Sequence, residues 1–172
     1  APLHLSDALN TGIKGHTLME HYYECRVAGF SVQEAWDSCH KLAIRLMSED
    51  KLDFNLVRAW TLVDNYIRDN EFTAEAVLIE NKFILPARLL SDDPMLADIG
   101  IGFTPDVVLQ RKSGRIDIED YKFVGRAWSK RKLNRFPQLK LYQAFLETMG
   151  YSISQTRLRF FNVKTGQLSD FP

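Results

Sequence analysis

Two stretches of the sequence place charged side chains inside apolar runs. Asp120 and Lys122 lie two residues apart in the run 116–124, and alternation along a strand would put both on one face. Burying such groups costs free energy unless they pair or hold a metal. Asp106 stands 14 residues before Asp120, so a hairpin between the two strands would bring the two carboxylates together.

Two interpretations fit this arrangement. Converging carboxylates need a counter-charge, and Mg²⁺ prefers oxygen ligands while keeping several waters. Such a site can activate water and neutralise the charge of a phosphodiester in the transition state. Lys122 would then orient the attacking water or contact the phosphate. The alternative is a structural salt bridge of Lys122 with Asp120 or Asp106 on a half-exposed sheet.

The apolar periodicity predicts the elements that position these residues. Helices are predicted over 5–28, from the capping box of Ser31 and Glu34 onward, over about 53–70, and from Pro137 to about Met149. Strands are predicted over 76–85, 104–110, 116–124 and 154–163, with a loop or short helix over 86–102. We therefore expect one α/β domain over residues 1–172, with a mixed sheet whose first three strands form a meander.

Composition narrows the class of protein. The chain has 172 residues, of which 45% are hydrophobic and 26% charged, as in ordinary globular domains. No apolar run approaches the length of a transmembrane helix, and no secretory signal is visible. Cys25 and Cys39 are too few for a disulfide framework. These features predict a soluble cytoplasmic protein that makes no membrane contact.

The charge is distributed unevenly along the chain. Residues 1–110 hold 9 basic and 17 acidic side chains, whereas residues 111–172 hold 13 basic and 5 acidic ones. The window 126–140 contains six basic residues and no acid. Such a segment is typical of a polyanion-binding surface, although a solvated loop and helix face is the alternative. Trp128 within it suits either stacking on an unpaired base or packing.

Three motifs resemble those of one nuclease family. Pro105-Asp106 followed by Asp120-Tyr121-Lys122 resembles the signature of the PD-(D/E)xK nuclease superfamily. Residues 118–123, Ile-Glu-Asp-Tyr-Lys-Phe, resemble the corresponding strand of its RecB-like branch, Gln138 to Tyr142 resemble its QxxxY motif, and Gly12 to His16 resemble its Gly-x-x-x-His motif. The resemblance implies a restriction-endonuclease-like αβββαβ core preceded by additional N-terminal helices.

The resemblance also implies residue roles. His16, Asp106 and Asp120 correspond to metal ligands, with the backbone carbonyl of Tyr121 as a further oxygen, and Lys122 corresponds to the catalytic lysine. Gln138 and Tyr142 lie four apart on one helix face and would support the site or contact DNA. For His16, Gln138 and Tyr142 the alternative is ordinary helix packing.

Two glutamates near these residues have less definite roles. Glu80 interrupts the first apolar strand, where many RecB-like nucleases also carry a glutamate, so it would be a metal ligand or would pair with Lys82. Glu119 should face away from Asp120 and is expected to be structural, unless a strand bulge reverses the two.

The implied activity is hydrolysis of DNA by a nuclease that depends on Mg²⁺ or Mn²⁺, with exonuclease action favoured, in recombination, repair or phage DNA metabolism. Some relatives bind an iron–sulfur cluster through four cysteines, most of them late in the chain, but here the last cysteine is Cys39. The alternatives are a nucleic-acid-binding module that does not cut, or a subunit active only with a helicase, recombinase or single-strand annealing partner.

Overall fold

The computed structural model describes residues 5–49, 53–68, 76–78, 82–111, 113–126, 128–135 and 137–171. Within these residues the helices are α1 (Leu5–Val27), α2 (Val32–Glu49), α3 (Phe54–Tyr66), α4 (Lys130–Asn134) and α5 (Gln138–Thr148). The strands in the same residues are β1 (Ala76–Leu78), β2 (Phe83–Pro86), β3 (Gly100–Phe103), β4 (Val107–Arg111), β5 (Ile116–Val124), β6 (Ile153–Asn162) and β7 (Leu168–Phe171). The predicted α/β class with a mixed sheet is confirmed.

The N-terminal helices begin and end where their capping chemistry places them. The Ser31 backbone N–H donates to the Glu34 carboxylate at 2.8 Å, and the Glu34 N–H donates to Ser31 Oγ at 3.2 Å, which is the predicted capping box. Asp53 accepts hydrogen bonds from the first backbone N–H groups of α3. Gly29 follows α1 with a φ of 94°, a conformation that glycine adopts without steric cost.

Five strands form the main sheet in the order β1-β4-β5-β6-β7. The β1–β4, β4–β5 and β6–β7 pairs are antiparallel, whereas β5 and β6 are parallel. Parallel neighbours need a crossover connection, and the segment containing α4 and α5 provides it. The central strand β5 matches its predicted range, 116–124.

The predicted single strand over 76–85 is wrong. β1 pairs with β4 in the main sheet, whereas β2 pairs with β3 in a separate two-stranded sheet. β3 lies at the end of the predicted loop 86–102, after two 3₁₀ turns at Ala87–Leu89 and Pro94–Leu96. Ile84 is 67% exposed between two buried neighbours, so β2 covers the core with one face only. An apolar run does not reveal where one strand ends and the next begins.

Helices cover both faces of the main sheet. On one face α1 and α3 share a core with Val107, Leu109, Tyr121 and Phe161, and α2 packs on α1 and α3. On the other face Leu146 of α5 and the β2–β3 hairpin pack against side chains of β4 and β5 that include Val108, Ile116 and Ile118. Even-numbered residues of β5 therefore point toward the α5 side, which fixes the side on which Asp120 and Lys122 lie.

Both cysteines are free and buried. The Cys39 thiol donates to the Leu18 carbonyl at 3.2 Å. Burial, with the nearby Cys25, raises the pKa of Cys39 to about 12, so its thiolate is not accessible at neutral pH. Among the helices that the structure describes, none is both long and apolar enough to span a membrane.

Candidate functional site

Strand β5 supplies an ion pair at the centre of the candidate site. Lys122 Nζ lies 2.6 Å from Asp120 Oδ2, so the two side chains share a face as the alternation predicted. The Asp120 side chain is 2% exposed, whereas that of Lys122 is 23% exposed. The lysine therefore reaches from a buried carboxylate toward solvent.

Asp106 meets this pair from the end of the adjacent strand. Val107 of β4 pairs with Glu119 of β5, so one step further along the antiparallel strands Asp106 lies opposite Asp120. Asp106 Oδ2 accepts a hydrogen bond of 2.6 Å from the backbone N–H of Tyr121. The two carboxylates thus adjoin, as the hairpin argument predicted.

Burial disfavours the charged forms of both carboxylates. Burial raises the pKa of Asp120 to about 6, the negative charge of Asp106 adds to this effect, and Lys122 opposes it. Burial also raises the pKa of Asp106, against the lowering effects of the Tyr121 N–H and Lys122. One lysine therefore compensates the pair only in part, and a further cation would stabilise both charged forms.

Helix α1 brings His16 to the same end of β5. Its ring contacts Phe123 edge-to-face with 5.3 Å between centroids. Loss of hydration and the nearby Lys122 ammonium lower the pKa of His16, against the opposing effects of Asp120 and Glu20 and of a hydrogen bond with the Tyr121 backbone. A lowered pKa favours the neutral imidazole, which is the form that binds metal ions.

Gly15, at an unspecified position of the Gly-x-x-x-His motif, allows α1 to approach β5 closely. A Cβ atom at Gly15 would lie 2.3 Å from two atoms of the Phe123 ring, whereas one at Gly12 would be 3.4 Å from the nearest atom of Phe123. Only Gly15 therefore requires the absence of a side chain. Its neighbour His16 reaches the end of β5 because of this close contact.

The α5 residues contact the segment that carries Asp106. Gln138 Nε2 donates to Tyr142 Oη at 2.6 Å, and Tyr142 Oη donates to the carbonyl of Thr104 at 3.3 Å. Tyr142 also stacks on Phe103, with ring centroids 5.8 Å apart. Among the hydrogen bonds of the described residues, these two side chains reach Thr104 and not Asp120 or Lys122. Tyr142, which Gln138 contacts, is therefore placed to support the backbone at Thr104, two residues before Asp106.

Glu119 points to the opposite face of β5, as predicted. Its Oε2 accepts hydrogen bonds from the Tyr66 hydroxyl at 2.9 Å and from the Tyr121 hydroxyl at 3.3 Å. Arg159 Nε lies 3.4 Å from the same oxygen, and Glu119 and Arg159 are each 1% exposed. This buried cluster lies under α1 and α3, on the side of the sheet away from Asp120. Glu80, by contrast, lies outside the described residues.

An open groove of about 720 Å³ runs beside Asp106. His16, Asp106 and Tyr121 contribute to its lining, together with Glu20 and Lys82. A volume of this size is within the usual range of ligand-binding clefts, roughly 300–1,000 Å³. The groove gives a ligand direct access to His16 and Asp106.

The donor chemistry of the site fits a divalent cation. Asp106 and Asp120 provide carboxylate oxygens, and His16 provides a neutral imidazole, a set that suits Mg²⁺ or Mn²⁺. Within the described residues no three His, Cys, Asp or Glu side chains already converge as a metal-binding group. The fit therefore rests on the two adjoining carboxylates, whose pKa values burial raises.

The basic segment 126–140 follows β5 directly. Arg126, Lys130 and Arg131 are exposed, in agreement with either interpretation of the basic window. Trp128 packs against Phe160 with ring centroids 5.6 Å apart, and Lys132 Nζ lies 4.0 Å from the centre of the Trp128 ring. Trp128 therefore packs within the protein, and Lys132 covers one of its faces.

Comparison of the sequence with models of known families gives no match, and comparison with curated proteins gives none either.

Proposed function

We propose that the protein is a metal-dependent deoxyribonuclease of the PD-(D/E)xK type, with the RecB-like branch as the nearest resemblance and the restriction-endonuclease-like fold that it implies. The observation that carries the proposal is the adjoining pair of half-buried Asp106 and buried Asp120, with Lys122 Nζ 2.6 Å from Asp120. A structural salt bridge alone does not require a second carboxylate beside the buried Asp120, because an added like charge makes the buried charge less favourable.

Asp106, Asp120 and His16 would hold the cation. When bound, Mg²⁺ or Mn²⁺ supplies Lewis-acid stabilisation of the charge that develops on the phosphodiester. The Tyr121 N–H donates a hydrogen bond to one oxygen of Asp106, which leaves the other oxygen as a possible metal ligand. Glu80 remains a candidate ligand from the sequence resemblance.

Lys122 would act on the nucleophile or on the phosphate. The Lys122 ammonium contacts the buried Asp120 carboxylate, while its own side chain is partly exposed. It can therefore donate a hydrogen bond to an attacking water or to a non-bridging phosphate oxygen. Lys122 is expected to orient the attacking water and not to deprotonate it, because a protonated ammonium donates hydrogen bonds and cannot accept a proton.

The resemblance favours DNA over RNA as the substrate, and the exposed basic residues of segment 126–140, which follows β5, would contact its phosphates. Gln138 and Tyr142 would keep the Thr104–Asp106 segment in place. From the resemblance, exonuclease action in recombination, repair or phage DNA metabolism is favoured. A helicase, recombinase or single-strand annealing protein is the expected type of partner.

The direct test is cleavage of end-labelled linear and circular DNA, single- and double-stranded, with Mg²⁺, Mn²⁺ or EDTA. Lys122→Ala is compared with wild type and with Lys41→Ala, a matched control at an exposed position of α2. We expect metal-dependent cutting that Lys122→Ala loses by about 10²-fold or more and that Lys41→Ala retains. Thermal denaturation with Mn²⁺ checks that the variant folds and still binds metal.

Two other outcomes identify the alternatives. DNA binding without cutting in any metal would indicate a binding module, for which the exposed basic segment is the supporting observation. Cutting that appears only after a helicase or recombinase is added would indicate a partner-dependent subunit. Full activity in a pure Asp120→Ala protein would refute the site itself.

A further inference from the structure

The groove beside Asp106 runs along helix α1. His16, Glu20, Glu24 and Ala28 all line it, and they lie at intervals of four residues on α1 and the residue that follows it, so they form one row on the helix. At a rise of 1.5 Å per residue, Glu24 lies about 12 Å beyond His16 along the axis. The groove therefore leads from the candidate metal ligands toward the C-terminal end of α1.

The groove also has an apolar wall. Met19, Tyr23 and Val27 contribute to the lining, and Met19 and Tyr23 are otherwise buried in the core beneath α1. An apolar wall beside polar groups suits a flat, partly apolar group such as a nucleobase. A nucleotide whose phosphate lies at Asp106 could place its base or sugar against this wall.

The charge of the groove is unfavourable for phosphate beyond that first position. Of its described lining residues, Glu20, Glu24 and Asp106 are acidic and Lys82 is basic. Glu20 and Glu24 are exposed, so they meet a ligand as hydrated carboxylates. Carboxylates repel phosphate and accept hydrogen bonds from hydroxyl and amino groups.

We propose that this groove binds the terminal nucleoside of a DNA strand and selects a strand end that carries a hydroxyl rather than a phosphate. The inference rests on the proposed nuclease function and makes it more specific. The chain continues from the scissile phosphate toward the basic segment, while the terminal sugar and base enter the groove. Glu20 and Glu24, about 6 and 12 Å beyond His16 along the axis of α1, line the part of the groove that an additional phosphate would enter. The enzyme is then an exonuclease that starts from hydroxyl ends.

The test uses four single-stranded oligonucleotides of one sequence with an internal fluorophore. They carry hydroxyl or phosphate at the 5′ end and at the 3′ end in all four combinations. Phosphate at the end that enters the groove is expected to lower kcat/KM by about fivefold, which corresponds to one hydrated like-charge contact at about 4 Å in bulk water. Phosphate at the other end should have no such effect, so the same series gives the polarity.

Two substitutions at Glu24 test whether the carboxylate is the cause. Glu24→Gln is expected to remove the preference for hydroxyl, and Glu24→Lys to reverse it. Glu147→Lys, an exposed position on α5, is the matched control and should keep the wild-type preference. Equal rates on all four oligonucleotides, faster cutting of phosphate ends, or an unchanged preference in Glu24→Lys would overturn the inference.

Binding of the same oligonucleotides in EDTA separates this inference from the proposed function. Tighter binding of hydroxyl ends without cutting in any metal would contradict the nuclease and keep the groove assignment. Cutting with no preference for hydroxyl in either rate or binding would contradict the groove assignment and keep the nuclease. A preference for phosphate that Lys82→Ala abolishes would assign Lys82 as a phosphate ligand and refute the inference.

Discussion

The backbone N–H of Tyr121 donates a hydrogen bond of 2.6 Å to Oδ2 of Asp106. The central residue of the Asp120-Tyr121-Lys122 segment thus orients the carboxylate that precedes the neighbouring strand. Its side chain points the other way, into the buried cluster with Glu119. Tyr121 therefore links the polar site on one face of the sheet to the buried polar cluster on the other.

The raised pKa of Asp120 predicts how stability depends on pH without metal. Its pKa of about 6 in the folded protein exceeds the ordinary value of 3.8, so between these values the folded state binds more protons than the unfolded state. Stability from this group is therefore largest at low pH and falls as pH rises from about 4 to about 6. The difference between the two pKa values corresponds to at most about 3 kcal/mol.

Asp120→Asn cannot ionise and should remove this decrease. In EDTA at pH 7.5 we expect it to unfold at higher urea than wild type, with a gain of about 1–3 kcal/mol. Asp92→Asn, at an exposed position between β2 and β3, serves as control and should match wild type. Equal stability of Asp120→Asn and wild type at pH 7.5, with the same pH profile, would contradict the charge argument.

Metal should make wild type more stable than Asp120→Asn. A ligand that binds only the folded state at 100 times its Kd adds about 2.7 kcal/mol of stability, so Mn²⁺ at pH 7.5 should stabilise wild type and affect Asp120→Asn little. Because protonation of the carboxylates competes with the cation, Mn²⁺ binding to wild type should weaken as pH falls through about 6. Isothermal titration calorimetry at pH 5, 6 and 7.5 measures this dependence, and pH-independent binding would argue against these ligands.

Gly15 and Gly12 offer a matched pair of substitutions in α1. Alanine in a helix interior is favoured over glycine by about 1 kcal/mol, so Gly12→Ala should be neutral or stabilising. Gly15→Ala would place a methyl group 2.3 Å from the Phe123 ring, and such overpacking typically costs about 1–3 kcal/mol. The displaced helix would move His16, so Mn²⁺ affinity should fall with stability. Adding Phe123→Ala to Gly15→Ala should restore part of the affinity; equal behaviour of the two glycine variants would show that the close contact is not needed.

The sequence predicted β5 and its polar face well because the alternation there is regular and a turn precedes it. It predicted the adjacency of Asp106 and Asp120 because a short hairpin leaves few ways to pair two strands. Gly15 could not be recognised, because its requirement comes from Phe123, which lies 108 residues later. The division of 76–85 between two sheets was not predictable either, since a continuous apolar run gives no sign of a change of partner.

The buried cluster around Glu119 should affect stability and not chemistry. Glu119→Ala would remove the carboxylate oxygen that lies 3.4 Å from Nε of the buried Arg159, and breaking such a buried pair typically costs about 3–5 kcal/mol. We expect a large loss of stability with cleavage per folded molecule changed by less than about threefold. Asp120→Ala should show the opposite pattern, a stable protein without activity. Urea unfolding and cleavage at a temperature where both variants are folded compare them, and a stable, inactive Glu119→Ala would place Glu119 in the site.

The basic segment should set the salt dependence of DNA binding. Lys130 and Arg131 are exposed, whereas Lys132 packs on the Trp128 ring. Alanine at position 130 or 131 should therefore remove charge without disturbing the fold. Each lost phosphate contact should lower the magnitude of the slope of log K against log salt by about 0.7 for single strands or 0.9 for duplex DNA. Fluorescence anisotropy over a salt series measures the slope, with Lys41→Ala on α2 as control. Slopes equal to wild type in both variants would show that these side chains face solvent and not DNA, and that the phosphates are bound elsewhere on the protein.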